Sequence, residues 1–148
     1  SISELRRVAH NMMPEVLVKF GLEEAVKSYC DSLQKAGVFH IDFQALNLVA
    51  RPDSKTEIFI YRIIQELLNN ISKHAKASHV LVQLSRNGDE MNLTVEDNGI
   101  GMNPDLINSA TGSGWTSIRT RTEYLKGKLD VQSSGGNGTS VHVTIPIS

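Results

Sequence analysis

Residues 55–75 carry apolar side chains at helical spacing, Ile60, Ile63, Ile64, Leu67, Leu68 and Ile71, and the period then drops to two. An apolar stripe of that kind has to be buried against another element. The next segments supply one. VLVQLS (80–85) and MNLTVED (91–97) alternate apolar and polar residues as half-buried strands do, and Asn87-Gly88 between them is a hairpin signal. Ser54 followed by Glu57 resembles a capping box that opens the helix.

The flanking segments complete the pattern. Residues 2–18 read as helix, with Ile2, Leu5, Val8, Met12 and Val16 near helical spacing and Pro14 bending or breaking it. A second helix over 22–35 places Leu22, Ala25, Val26, Tyr29, Leu33 and Ala36 on one side, with Gly37 as its end signal. VFHIDFQAL (38–46) alternates as a strand. After a glycine-rich loop over 98–114 come a helix over 115–125, the strand KLDVQSS, the loop SGGNG and a last strand TSVHVTIPI. The reading is an α/β fold with a mixed sheet whose final strands are antiparallel hairpins, preceded by an N-terminal helix. It is not a regular βαβ series, so a doubly wound nucleotide fold is not expected.

Composition narrows the function classes. The chain has 148 residues, one domain's worth, and 16 acidic against 15 basic residues leave a net charge of -1. That balance excludes a broad electrostatic grip on nucleic acid and a polybasic membrane anchor. No apolar run is long enough to span a membrane. A single cysteine, Cys30, leaves no internal disulfide framework and fits a reducing compartment. The chain begins without Met, in mid-helix and without a signal-peptide core, so it reads as a fragment of something longer.

Two regions carry chemistry. Glu66 and Asn70 stand at i and i+4 on the long helix, and Lys73 and His74 extend that stripe by another turn. A solvated helix edge accounts for such a stripe, and so does the rim of a site. An Asn oxygen is a hard ligand suited to Mg²⁺, and a Lys one turn on suits a phosphate. Asp97-Asn98-Gly99-Ile100-Gly101 follows a strand. It is neither a P-loop nor a G-x-G-x-x-G opening a helix. An aspartate suits an exocyclic amine better than a phosphate, so a nucleotide here would turn its base toward Asp97, with glycines letting backbone approach the ring. Gly112-Ser113-Gly114 precedes a helix whose N-terminus favours phosphate, or serves as an ordinary connection.

The order of these segments is specific. QELLNNISKHA (65–75), VEDNGIGM (95–102), GSGWTSIRTRTEYLKGKL (112–129) and GGNGTSVHVTIPI together resemble the catalytic ATP-binding domain of bacterial sensor histidine kinases. That domain belongs to the ATPase superfamily shared with gyrase, a heat-shock chaperone and mismatch-repair proteins. The likeness covers roughly 21–148 and implies a two-layer sandwich of a mixed, largely antiparallel sheet and three helices, the Bergerat-type ATP-binding fold, with ATP held between helices and lid. The -KHA- ending, brief lid and R-x-R resemble the short-lid subclass related to nitrate sensors.

The resemblance implies roles. Glu66 matches the proposed general base for the phosphoaccepting histidine, Asn70 the Mg²⁺ ligand, Lys73 a phosphate contact, and His74 a position near the nucleotide. Asp97 matches the adenine-reading aspartate. Gly99 and Gly101, with Met102 closing the motif, match the floor beneath the base. Gly112 and Gly114 match the lid glycines beside the phosphates, and Thr139 the threonine that supports the aspartate. ATP and Mg²⁺ are the implied ligands. The implied partners are the kinase's own dimerisation and phosphoacceptor domain, a response regulator, and a second copy in the full-length homodimer. Nucleic acid and direct membrane contact are not expected. The domain is expected in the cytoplasm, its parent often anchored in the inner membrane.

Residues 1–20 then read as the end of the second dimerisation helix plus a linker, and 21–148 as the catalytic domain. His10 is not read as the phosphoacceptor, because Asn11 follows it where this subclass has an acidic residue. That histidine is expected upstream. Trp115 stands where the family has a smaller aliphatic residue, and is read as packing rather than ligand contact. Arg119 and Arg121 could reach phosphates. His40, His79 and His142 have no zinc spacing. Another ATPase of the superfamily, a serine-directed kinase of the anti-sigma type, and a nucleotide-binding module without catalysis stay open as alternatives.

Overall fold

The computed structural model describes residues 14–48, 50–102, 113–133 and 136–147. The chain runs α1 (Glu15–Phe20), α2 (Leu22–Lys35), β1 (His40–Leu46), α3 (Ser54–Asn70), β2 (His79–Asn87), β3 (Glu90–Asp97), α4 (Ser113–Tyr124), β4 (Lys128–Ser133) and β5 (Thr139–Pro146). The strands form one open sheet in the order β1-β2-β3-β5-β4. The β1–β2 pair is parallel, with α3 as its crossover, and the other pairs are antiparallel.

One face of the sheet is apolar and carries the helices. Val80, Val82 and Leu84 of β2, Met91, Leu93 and Val95 of β3, and Val141, Val143 and Ile145 of β5 are buried there. Ile60, Ile63, Ile64, Leu67 and Leu68 of α3 meet them, with Leu22, Ala25, Val26 and Cys30 of α2 and Trp115 and Ile118 of α4. The opposite face is polar, with side-chain pairs such as Gln83–Gln44 at 2.8 Å and Thr94–His142 at 3.0 Å. The expected two-layer α/β architecture is therefore present, with helices on one side only.

Local chemistry departs from the sequence expectation in four places. The cap of α3 is Asp53, whose carboxylate accepts the Thr56 N–H at 2.7 Å; Ser54 is already helical, and Glu57 turns inward to Arg51. The β2–β3 turn is centred one residue later, on Gly88-Asp89, with Asn87 and Glu90 paired in register. Only Gly88 has a positive φ there, which is the pattern of a type II′ turn. Helix α4 starts at Ser113 rather than at Trp115. The long helix changes character after Asn70, where residues Ile71–Ala75 form a widened π-type turn ended by Lys76 in the left-handed region. His10 and most of the expected helix over 2–18 lie outside the described residues.

Gly37 does end α2 as expected. It has φ 75°, its N–H reaches Gln34 O at 3.0 Å and the Val38 N–H reaches Leu33 O at 3.4 Å, the paired bonds of a Schellman motif.

Candidate functional site

Strand periodicity builds one end of the site. Alternate residues of β3 and β5 face the helices, so Asp97 and Thr139 continue the face begun by Val95 and Val141. The apolar face ends there in polar groups. The Asp97 carboxylate accepts the Gly99 N–H at 2.8 Å and the Thr139 N–H. Burial pushes its pKa above the usual carboxylate value, against the pull of those two donors.

The end of α3 is fastened to the same place. Ala75 O accepts the Ile100 N–H at 2.8 Å. A Cβ on Gly99 would fall 2.1 Å from that oxygen, so only glycine permits this approach. Gly138 (φ 77°) is equally constrained, since its Cβ would sit 2.0 Å from Asp97 O. Asn98 holds the loop from the other side. Its Oδ1 accepts the N–H groups of Ser78 and His79 at 2.9 and 3.0 Å, and its Nδ2 donates to Ser78 Oγ at 2.9 Å. Gly101 has φ 79° and is half-buried, while Ile100 beside it is exposed.

The stripe on α3 leads into this junction. Glu66 and Asn70 are half-buried, one turn apart. Lys73 and His74 are exposed on the π-type turn, a distortion that often accompanies function. Their bearing from Asn70 is set by that wider turn, not by the α-helical stripe expected from spacing. Asn70 Nδ2 is buried and has no hydrogen-bond partner among the described residues. An amide's two ends exchange by a 180° flip, so that corner is equally able to present oxygen. A buried polar corner without a partner is costly in the free chain and fits a group that takes a ligand, a hard cation included.

Helix α4 packs antiparallel to α3. Tyr124, near its C-terminus, meets Phe59 near the start of α3 with ring centroids 4.9 Å apart, and Lys55 Nζ lies 4.7 Å above the Tyr124 ring. The N-terminal turn of α4, with Gly114, therefore lies toward the Asn70 end of α3. Gly112 lies outside the described residues. Trp115 is buried in the core. Arg119 and Arg121 are half-buried, and Arg121 donates to Ser117 Oγ within its own helix.

The structure thus brings Asp97, Gly99, Gly101, Met102 and Thr139 together and joins them to the helix end that carries Asn70, Lys73 and His74. Sequence reasoning missed Ser133. Its Oγ accepts the Met102 N–H at 2.7 Å and lies 2.9 Å from Thr139 Oγ1. Leu129 and Val131 alternate toward the core on β4, and the same period carried on to Ser133 marks it. His40 and His79 are register partners with ring centroids 5.5 Å apart. Among the described residues no cluster of three His, Cys, Asp or Glu side chains is set to hold a metal. No described helix is long and apolar enough to cross a membrane.

Comparison with known proteins bears on the family. Residues 55–148 match the family described as histidine kinase-, DNA gyrase B-, and HSP90-like ATPase. The chain is 31% identical over its whole length to the signal transduction histidine-protein kinase/phosphatase DegS of Brevibacillus brevis, and spans 38% of that protein. It is also 31% identical over 99% of its length to the sensor histidine kinase ComP of Bacillus subtilis, and spans 19% of it. Among solved structures, the blue-light activated histidine kinase of Erythrobacter litoralis EL346 superposes with TM-score 0.71 at 26% identity, over 86% of this chain and 42% of that one. The mycobacterial sensor histidine kinase MprB, at 16% identity and TM-score 0.63 over 83% of this chain and 91% of that one, shares the fold. The match takes in well over half of the chain, and this protein belongs to the histidine kinase-, DNA gyrase B-, and HSP90-like ATPase family.

Proposed function

We propose that the chain is the ATP-binding catalytic unit of a two-component sensor histidine kinase. It transfers the γ-phosphoryl of ATP to a histidine outside these residues, for relay to a response-regulator aspartate. The observation that carries the reading is the junction at Ala75 O. It sets a half-buried carboxylate, Asp97, beside the backbone of Gly99, and fixes the helix end bearing Asn70, Lys73 and His74 next to it.

In this reading Asp97 accepts the adenine amine, and Gly99, Gly101 and Met102 form the floor. The N-terminus of α4 with Gly114, and Lys73 with His74, face the phosphates. Asn70 would hold Mg²⁺, which neutralises phosphate charge. Glu66, one turn before Asn70, holds or removes the proton on the far nitrogen of the accepting imidazole, keeping the attacking nitrogen nucleophilic. Positioning and charge stabilisation carry most of the catalysis.

Calorimetry with a non-hydrolysable ATP analogue and Mg²⁺ tests the site. Wild type should bind, and Asp97→Asn should lose binding. With the parent kinase's phosphoacceptor domain supplied, Glu66→Gln should keep nucleotide binding and lose phosphoryl transfer. Unchanged transfer in that variant would sink the general-base assignment.

A further inference from the structure

His40 and His79 are distant in sequence, and the parallel pairing of β1 with β2 makes them register partners. The next pair, Ile41 and Val80, is buried in the core. Side chains alternate along a strand, so both imidazoles stand on the opposite, open face of the sheet. Both residues are exposed. Their ring centroids are 5.5 Å apart and the planes are tilted by 58°, so the rings are not stacked face to face. The proposed nucleotide site uses neither ring.

Each ring has one nitrogen facing a neighbour. His40 Nε2 lies 3.4 Å from Asp42 Oδ1, and His79 Nδ1 lies 2.9 Å from Ser78 Oγ. That leaves His40 Nδ1 and His79 Nε2 to take a ligand. A metal-bound histidine is usually held in this way, its second nitrogen carrying a proton toward a neighbouring acceptor. Ser78 Oγ accepts from Asn98 Nδ2 at 2.9 Å and has a second lone pair for a proton on His79 Nδ1. The spacing of the rings fits as well. A cation about 2.1 Å from an imidazole nitrogen lies roughly 3.2 Å from the ring centre, so two rings on one tetrahedral cation have centres about 5 Å apart. A small turn of two exposed side chains brings the observed 5.5 Å to that value. Imidazole suits the late first-row divalent ions, whereas Mg²⁺ takes oxygen.

We infer that His40 and His79 form a chelating site for a late first-row divalent cation such as Zn²⁺, on the open face of the sheet. The two imidazoles are the protein's whole share of the ligands, and water fills the other positions. Asp42 and Ser78 orient the rings. A cation there clamps β1 to β2 beside Asn98, whose Oδ1 already accepts the Ser78 and His79 N–H groups. The inference does not depend on the nucleotide-binding reading.

The test is calorimetry of the untagged chain with ZnCl₂ and with MgCl₂, without nucleotide, on wild type, His40→Gln, His79→Gln and His142→Gln. Wild type should bind Zn²⁺ at least about tenfold more tightly than Mg²⁺. Loss of an orienting partner around a bound metal costs about 10–100-fold in affinity, so loss of a ligand should weaken Zn²⁺ binding at least about tenfold in His40→Gln and in His79→Gln. His142 is exposed on the same face of the sheet but apart from the pair, and His142→Gln should bind as wild type does. Absence of Zn²⁺ binding, equal affinity for the two cations, or binding that survives either His40→Gln or His79→Gln overturns the inference. Equal losses in all three variants mean scattered surface binding and overturn it too. The second arm needs no variant. A cation held by the folded chain stabilises it, so Zn²⁺ should raise the urea midpoint of wild type, and an unchanged midpoint overturns the site.

Discussion

Arg51 and Glu57 form a bidentate pair, Nη2 to Oε1 at 2.7 Å and Nε to Oε2 at 3.2 Å, in which the carboxylate is buried and the guanidinium half-exposed. The same guanidinium donates to Leu17 O at 2.9 Å and Val18 O at 3.4 Å, the closing turn of α1. One side chain therefore compensates a buried charge and caps the incoming helix. Arg51→Met strands the Glu57 carboxylate in the core, and removing one partner of such a pair is costlier than removing both. The expected order of urea midpoints is wild type highest, then Arg51→Met with Glu57→Met, then Arg51→Met alone. Equal midpoints for the single and double variants would rule this out.

Asp97 carries a pH signature. Its folded pKa is raised by burial, so between the unfolded carboxylate value, about 3.9, and the raised one the native chain holds more protons than the unfolded chain. Stability contributed by this group is then present at low pH and lost as pH rises through that window. Asp97→Asn removes the slope. Its urea midpoint should gain on wild type from pH 4 to pH 7, while ATP-analogue affinity falls at least about tenfold, about 1.4 kcal/mol. A midpoint difference that does not change with pH would contradict the burial argument.

Gly99→Ala should be among the most damaging single-methyl changes. The added carbon would lie 2.1 Å from Ala75 O, which is backbone and cannot rotate away. A loss of about 1–3 kcal/mol is expected, together with weaker nucleotide binding. Gly88→Ala at the hairpin turn meets no atom, and only the strain of its φ of 62° opposes it. Parallel denaturation curves compare the two, and an undisturbed Gly99→Ala would refute the close approach.

Cys30 should be inert while the fold holds. Its thiol is buried and its pKa is pushed up to about 12, first by desolvation and then by Asp31. At pH 8 the thiolate is scarce and sheltered. Alkylation by iodoacetamide should follow global unfolding in urea. Fast labelling of the native chain would show α2 opening locally.

Ile63 on α3 is fully buried against the sheet. Ile63→Ala should cost about 2–5 kcal/mol, read as a fall in urea midpoint without a change in slope.

The parts of this protein legible in its sequence are those governed by period. The buried face of α3 and the turn after it, from Ile60 to Ile71, is the one the spacing indicates, and β2, β3 and β5 follow their alternation. What escaped depends on contacts distant in sequence. Glu57 reads as a capping residue until Arg51 takes it inward. The π-type turn after Asn70 has no clear composition signal; it accompanies the bond between Ala75 O and Ile100 N–H, made across the fold. Ser133 ends an ordinary alternating strand, and only the register of three strands sets it beside Thr139 and Asp97. The candidate site residues were picked out by motif and resemblance, and the close approaches that constrain them were not visible until the chain folded.

The Ala75 carbonyl has one more consequence. Because the bond from Ile100 N–H to Ala75 O joins main chain to main chain, the span from the helix end bearing Asn70, Lys73 and His74 to the Asp97 carboxylate is set there by peptide geometry. The junction is in effect a gauge of fixed length. A ligand reaching only one end of it gains only that end's contacts, and cannot draw the other end in to meet it.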